Sequence, residues 1–159
     1  AKKLLNYELS KEDLLGILIL DRLGNHEYFC FKYKVPNKLR ERFKFIAEGL
    51  VKIKVNKNFF KNDIKKNLYI YGKELMIDLN LIDYFESKKK NYNNYNKILG
   101  DLKKISIPVF PYDGKFLINK GFSEGKKIGQ VMKVIEKKWI ENEFKLNDEQ
   151  IGNLIKKYI

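Results

Sequence analysis

Two-metal phosphoryl chemistry needs two carboxylates converging on the ions, and Asp-x-Asp on a strand is the compact way to supply them. The chain contains no Asp-x-Asp. Its one Glu-x-Glu, Glu141 with Glu143, falls at an expected helix end and reads as a solvated terminus. Glu12-Asp13 follows Ser10-Lys11 and reads as the acidic first turn of a helix. His26 is the only histidine and is expected in the first turn of a surface helix, so neither a histidine metal set nor a triad can be assembled. Cys30, the only cysteine, follows Tyr28-Phe29 and is expected in the core. A single thiol excludes an internal disulfide and a cysteine zinc site, and makes a reducing cytoplasm the expected setting.

Cations are the abundant chemistry. The chain has 159 residues, with 33 Lys and Arg against 20 Asp and Glu, a net charge of +13. Residues 32–66 alone hold twelve basic and three acidic side chains, or +9. A codon preference for Lys and Asn would enrich lysine without any ligand, but would spread it along the chain. Clustering favours a polyanionic partner, nucleic acid first. Within the block, Lys38, Arg40, Arg42, Lys44, Lys52 and Lys54 are candidate phosphate contacts.

A second set sits near the end of the chain. At about 100° per residue, Lys126, Gln130, Lys133 and Lys137 share one side of a helix, opposite Ile128, Val131, Met132, Ile135 and Trp139. The apolar arc reads as core. The lysine side reads either as an ordinary solvated face or as a stripe that tracks phosphates. The helix opens Gly125-Lys126-Lys127-Ile128-Gly129, so backbone N–H groups and the Lys126 and Lys127 ammoniums meet at its positive end, a good place for phosphate. The glycine spacing is not that of a P-loop, and no Ser or Thr follows the lysine. Tyr69, Tyr71, Tyr92, Tyr95 and Tyr112 could stack on bases or pack inside.

The elements that must carry these residues are helical nearly throughout. Ser10 caps a helix through Leu14, Leu15, Leu18 and Ile19, and Asn25 is expected to cap another from His26 to about Lys34. Pro36 breaks it, and Asn37 is expected to cap a third helix to about Leu50, with Leu39, Phe43, Ile46 and Leu50 on one side. A helix over Phe59 to Tyr71 is expected to end at Gly72, followed by one from Lys73 that turns Leu75, Leu79, Ile82 and Phe85 inward. Lys88 to Asn96, polar and lysine-rich, is expected to begin as an exposed connection, with a helix resuming toward Leu99 and Leu102. Pro108 and Pro111 force extended backbone and place a domain boundary there. Beyond it, Asp113 caps a short helix, a long one runs from Gly125 to Asn142, and Asn147 with Gln150 forms a capping box for a last helix ending Tyr158-Ile159. The expected fold is all-α, a multi-helical body over residues 1–105 followed by a small helical tail over residues 106–159. No apolar run approaches the roughly 20 residues of a membrane span, no large apolar face accompanies the basic block, and Ala-Lys-Lys introduces no signal-peptide pattern.

The run from Ile107-Pro-Val-Phe-Pro-Tyr-Asp-Gly-Lys-Phe-Leu-Ile-Asn-Lys-Gly-Phe-Ser-Glu-Gly-Lys-Lys-Ile-Gly-Gln-Val-Met to Lys133, and on through Trp139-Ile-Glu-Asn-Glu-Phe, resembles the tail of the bacterial CCA-adding tRNA nucleotidyltransferase and poly(A) polymerase family. Arg22-Leu23-Gly24-Asn25 resembles that family's Arg-Leu-Ser-Asn element. Asn67-Leu68-Tyr69-Ile70-Tyr71-Gly72 through Asp78 resembles its Leu-Tyr-Arg-x-Gly…Asp stretch, in the alphaproteobacterial form. Lys126 stands where the family has Pro, Phe116 where it has Asp, and Gly24 where it has Ser.

The resemblance implies a head-neck-body-tail enzyme that adds CCA or AMP to RNA 3′ ends, with Mg²⁺ and ATP or CTP held in a catalytic head and neck. Neither the head's carboxylate pair nor the neck's Glu-Asp-x-x-Arg occurs here, because Glu12-Asp13 runs into Leu14-Leu15-Gly16. What the resemblance leaves is body and tail. These are expected to bind the acceptor and TΨC arms of tRNA by backbone shape, without catalysis or a cofactor of their own. The catalytic head and neck would be joined in cis or supplied as a separate chain. The alternative is a helical scaffold that docks onto such a subunit, or onto itself, through an apolar patch including Leu4, Leu5 and Leu14.

Overall fold

The computed structural model describes residues 8–21, 23–89, 91–123 and 125–158, with the side chain of Lys126 outside that set. Leu4, Leu5, Arg22 and Lys90, used in the sequence reading, lie outside the described residues. Among the described residues the structure is all-helical, with no strand. It divides into two compact units, within Ala1–Ile107 and within Pro108–Ile159. The first contains α1 (Lys11–Ile19), α2 (Asn25–Lys32), α3 (Asn37–Val55), α4 (Ile64–Tyr71), α5 (Lys73–Glu86) and α6 (Tyr92–Lys104). The second contains α7 (Gly114–Ile118), α8 (Lys126–Glu141) and α9 (Asp148–Ile155). No described helix is long and apolar enough to cross a membrane.

Helix α5 organises the first unit. It packs against α1, α3, α4 and α6, and it buries Met76, Asp78, Leu79, Asn80, Leu81 and Ile82, six residues that point in every direction around the helix. A helix covered on all sides carries apolar residues all round, as this one does. It meets α3 closely at Gly49, where a Cβ would lie 2.7 Å from a methyl of buried Leu79, so any larger residue would have to displace that side chain. Asn80 donates its amide to the Tyr95 carbonyl across 3.2 Å, which joins α5 to α6 without an unpaired buried group at that point. Lys73 donates to the carbonyl of Lys103 at 3.0 Å, placing a cation at the C-terminal end of α6 where the helix dipole favours it.

The two charges buried at the junction of α1, α3 and α5 share a third. Asp13 closes a capping box with Ser10 at the start of α1: the Asp13 N–H donates to the Ser10 hydroxyl at 3.0 Å, and the Ser10 N–H to Asp13 Oδ2 at 2.8 Å. Asp13 Oδ1 also accepts from Arg42 Nη2 at 3.1 Å, while Arg42 Nε donates to Asp78 Oδ2 at 2.8 Å. Glu74, exposed, sits 3.8 Å from Arg42 Nη1. The other Asp78 oxygen is buried without a hydrogen-bond partner. Burial drives the Asp78 carboxyl up, the Arg42 hydrogen bond and charge pull it down, and Asp13 and Glu74 push it up again, leaving it raised from 3.8 to about 6. Arg42 loses by desolvation but gains more from Asp78, Asp13 and Glu74, so its pKa rises.

The second unit has its own core of Leu117, Phe122, Val131, Ile135, Ile151 and Ile155. Rings close one side of it: Phe110 meets both Tyr112 and Trp139, and Trp139 meets Phe144, with centroids 4.9–5.4 Å apart. The predicted caps are present. Asp113 accepts from the Phe116 N–H at 3.0 Å, and Asn147 and Gln150 exchange side-chain-to-backbone hydrogen bonds at 2.8 and 3.1 Å.

Several expectations are corrected. Asn25 does not cap α2 but begins it. The N-cap is Gly24, at a left-handed φ of 87° and without a side-chain cap, and Asn37 likewise begins α3 rather than capping it. Ahead of Gly24, Asp21 Oδ1 accepts from the N–H groups of Leu23 and Gly24 at 2.9 and 3.1 Å and from that of Asn25 at 3.4 Å, and the other Asp21 oxygen takes the Asn25 side-chain amide. Burial raises the Asp21 carboxyl, but these hydrogen bonds together outweigh it and hold it below its usual value. His26 stands in the first turn of the largely exposed α2, as expected, but its side chain is buried, because it lies one turn from Cys30 and follows that residue inward. Helix α3 continues past Leu50 to Val55. The expected helix from Phe59 is a run of turns until Ile64: Asn56 and Asn58 bond their own neighbourhood, and Asp63 takes a left-handed φ of 55°, as Asn and Asp do more readily than other residues. The connection expected at Lys88 is exposed at Lys88 and Lys89 but short, since Asn91 caps α6 from the Asn94 N–H at 2.9 Å and Tyr95 is already buried. Helix α9 stops at Ile155 rather than at the C-terminus.

A carboxyl raised on folding is most stabilising below its ordinary pKa, and that contribution is lost as pH climbs through the folded value. Asp78 therefore makes the fold less stable as pH rises from about 4 to about 6, by about 3 kcal/mol for a change from 3.8 to about 6. The stability of the native chain minus that of Asp78→Asn, from urea unfolding at a series of pH values, falls by that order across the interval. A flat difference means that Asp78 is not the titrating group.

Candidate nucleic-acid interface

Each unit presents basic residues on its own helices. On α8, Val131, Ile135 and Trp139 are buried and Ile128 and Met132 half-buried, which fixes which side faces out. Lys127, Gln130, Lys133 and Lys137 are exposed, and the Lys126 side chain lies outside the described set. Lys138 is drawn to Glu141 at 3.5 Å. No side chain caps the start of α8, and Gly125 enters it with φ 131°, a conformation open to glycine and strained for other residues. Lys133 and Lys137 are thus solvated, one turn apart and opposite the core.

The basic block of the first unit does not form one surface. Along α3, at about 100° per residue, Lys38, Arg42 and Lys52 fall on one side, and Arg40, Lys44 and Lys54 on the other. Arg42 is committed to Asp13 and Asp78, with only 21% of its side chain exposed. Lys52 leans on α4: its Nζ reaches the Tyr71 hydroxyl at 3.3 Å and lies 5.5 Å from the ring centroid. Arg40 and Lys44, a turn apart and exposed, share the wall of a recess against α2 with His26, Cys30 and Phe31. Lys38 and Lys54 are exposed.

The tyrosines noted as stacking candidates are mostly spent on packing. Tyr95 is buried against Tyr84 at 5.2 Å, Tyr71 packs on Phe45 at 4.5 Å, and Tyr112 lies between Phe110 and Phe116. Tyr69 is half-buried and Tyr92 partly exposed. The open rings are instead on and next to α2, namely Tyr28, Phe31 and Tyr33, with Lys32 Nζ 5.7 and 5.5 Å from the two tyrosine rings. The signal for them lay in the aromatic run Tyr28-Phe29…Phe31…Tyr33 set against the basic block; α2 has too little apolar asymmetry to show from sequence which rings turn out. Glu141 and Glu143 are exposed at the end of α8, as expected of a solvated terminus. No cluster of three or more metal-ligating side chains occurs among the described residues. Burial raises the Cys30 thiol, against the opposing charge of Arg40, which disfavours the nucleophilic thiolate.

The described residues form an all-helical, strongly basic chain of two compact units. No family model matches it, and no solved structure does. Part of the chain is similar to a class of tRNA-processing enzymes. It is 30% identical over 60 residues to the CCA tRNA nucleotidyltransferase 1, mitochondrial, of Danio rerio, a stretch that is 38% of this chain and 14% of that protein. The proteins of the same name from Mus musculus and Homo sapiens are 26% and 27% identical over 66 residues, 42% of this chain and 15% of theirs. The similar stretch thus spans about one seventh of those relatives' length.

Removing Arg42 leaves two buried carboxylates without their cation, at a cost of about 3 kcal/mol. Arg40 and Lys44 are solvated, and their truncation moves stability by about 0.5 kcal/mol or less. Urea unfolding of Arg42→Ala, Arg40→Ala and Lys44→Ala separates the structural cation from the available ones. Equal losses in all three contradict this division.

Proposed function

We propose that this chain is a tRNA-binding body and tail region of a CCA-adding nucleotidyltransferase of the bacterial, alphaproteobacterial type, working with a catalytic head and neck in cis or on a separate chain. The observation that carries the reading is the similarity to CCA tRNA nucleotidyltransferases in three vertebrates. The geometry supports it. Lys127, Lys133 and Lys137 on α8, and Lys38, Arg40, Lys44, Lys52 and Lys54 on α3, are exposed cations carried on rigid helices, suited to phosphates whose positions a folded RNA fixes in advance. Arg42 drops from the first rank of contacts because its charge is already matched. Lys126 stays in the set as the first residue of α8. In this reading CCA or AMP addition, with Mg²⁺ and ATP or CTP, belongs to the head and neck, and the RNA contact is to the acceptor and TΨC arms. The buried thiol of Cys30 suits a reducing compartment, the cytoplasm in our reading, whereas the named relatives are mitochondrial.

The second reading, a scaffold that docks onto a catalytic subunit or onto itself, draws on α1. Leu14 and Leu18, one turn apart, are both exposed, Leu18 by 80%.

Binding of tRNA as a function of salt tests the first reading. Each phosphate contact contributes about −0.7 to −0.9 to the slope of log K against log salt. The Lys126, Lys133, Lys137→Ala variant loses about three contacts' worth of slope if the α8 face holds tRNA. Equal, weak binding by native chain and variant defeats it. The scaffold reading predicts concentration-dependent association in light scattering that Leu18→Lys abolishes; a monomer at all concentrations, unchanged by that variant, removes the self-docking form.

A further inference from the structure

Phe31 is 81% exposed on α2 and borders an open hollow on either side. On one side is a hollow of about 690 Å³ that it shares with Lys34, Pro36, Asn37 and Arg40. On the other is a smaller one of about 250 Å³, walled by His26, Cys30, Arg40 and Lys44. Phe31 and Arg40 are walls common to both. The turn between α2 and α3 holds this shape: Lys34 takes a left-handed φ of 50°, and Val35, buried, bonds its N–H to the Cys30 carbonyl at 3.1 Å. His26, only 5% exposed, keeps a buried Nδ1 with no hydrogen-bond partner beside the smaller hollow, and an orphaned buried nitrogen calls for an explanation. Glu27 adds a carboxylate to the same wall and offers an acceptor to a base edge.

We infer that this α2–α3 groove takes an unpaired nucleotide of RNA, its base stacked on Phe31 and its phosphates on Arg40 and Lys44. The inference rests on the reading that the chain binds RNA, and adds a class of RNA element to it. An aromatic ring flanked by cations is what a single strand needs, because only an unpaired base offers its face for stacking while its backbone runs over positive charge. A duplex keeps its bases stacked on one another and has no use for Phe31. An anionic membrane could meet the same residue types, but it favours a broad apolar face rather than two hollows divided by one ring. Neither the α8 stripe nor Lys52 has this combination, since the rings near them are packed against other side chains.

The test is fluorescence anisotropy at low salt with a short mixed-sequence single-stranded RNA, a hairpin duplex of similar charge and intact tRNA. The full chain is compared with Phe31→Ala, Phe31→Tyr and Arg40→Ala. Phe31 is solvent-exposed, so the folded state survives its substitution, as far-UV circular dichroism confirms. Stacking accounts for about fivefold to about 150-fold in affinity for each base. Phe31→Ala is expected to lose that much for the single strand while Phe31→Tyr keeps it, Arg40→Ala flattens the salt dependence, and the duplex is indifferent to Phe31. The inference is overturned if Phe31→Ala binds the single strand as the native chain does, if it weakens duplex equally, or if phosphatidylserine vesicles rather than RNA show the Phe31 dependence. Retained, α8-dependent tRNA binding with no effect at Phe31 overturns the groove alone. Phe31-dependent single-strand binding without tRNA binding overturns the tRNA reading and upholds the groove.

Discussion

The first unit depends on one guanidinium satisfying two buried carboxylates. Helix α5 is enclosed by four neighbours, and an enclosed helix should carry nothing charged, yet Asp78 is 1% exposed in its middle. Asp13, at the start of α1, is nearly as buried. Each would be costly alone. Arg42 enters between them from α3, with its planar fork divided between the two acids. Such a junction adds little net stability over a well-packed apolar one. What it contributes is specificity of register: α1, α3 and α5 can approach only where one cation reaches both anions, and the same approach leaves room for no Cβ at Gly49.

That arrangement changes how the positive charge of the chain should be counted. A block of twelve basic residues suggests a single polyanion surface, but α3 distributes its cations around its circumference, and the fold assigns them different roles. One neutralises buried acids, one rests on a tyrosine ring, two edge a recess, and the remainder meet water. The second unit is simpler, because a strong apolar arc on α8 leaves the lysines no option but the opposite side.

The contrast explains how much was legible in sequence. Helices with a sharp apolar arc or a capping side chain were read correctly at their starts: α8 from its arc, α1 from the Ser10 cap, α9 from its capping box, α7 from Asp113, and the all-helical class from the sum. Boundaries set by polar side chains bonding nearby backbone, as at Asp21 and Asn56, or by a left-handed turn, as at Asp63, were not, since such local conformations compete with the helix and leave no periodic trace. The face of α2 was hidden because its residues are aromatic or polar on every side. The Arg42 junction left one trace, an aspartate inside the apolar run from Met76 to Ile82, but its partners lie 36 and 65 positions away and no local pattern connects them. Of the candidate cations, the structure separates Arg42 from the rest; exposure alone does not rank the others.

The glycine crossing of α3 and α5 has a mechanical side. Because Leu79 pins α3 at Gly49, the helix is held near its middle and its ends are carried on either side as the arms of a rigid beam. Arg40 and Lys44 ride on one arm, Lys52 and Lys54 on the other. At about 1.5 Å of rise per residue, Arg40 and Lys52 are fixed about 18 Å apart along the axis. A flexible loop would let such cations wander to meet any polyanion. A clamped helix instead holds them at fixed spacing and on fixed sides, Arg40 and Lys44 on one and Lys52 on the other.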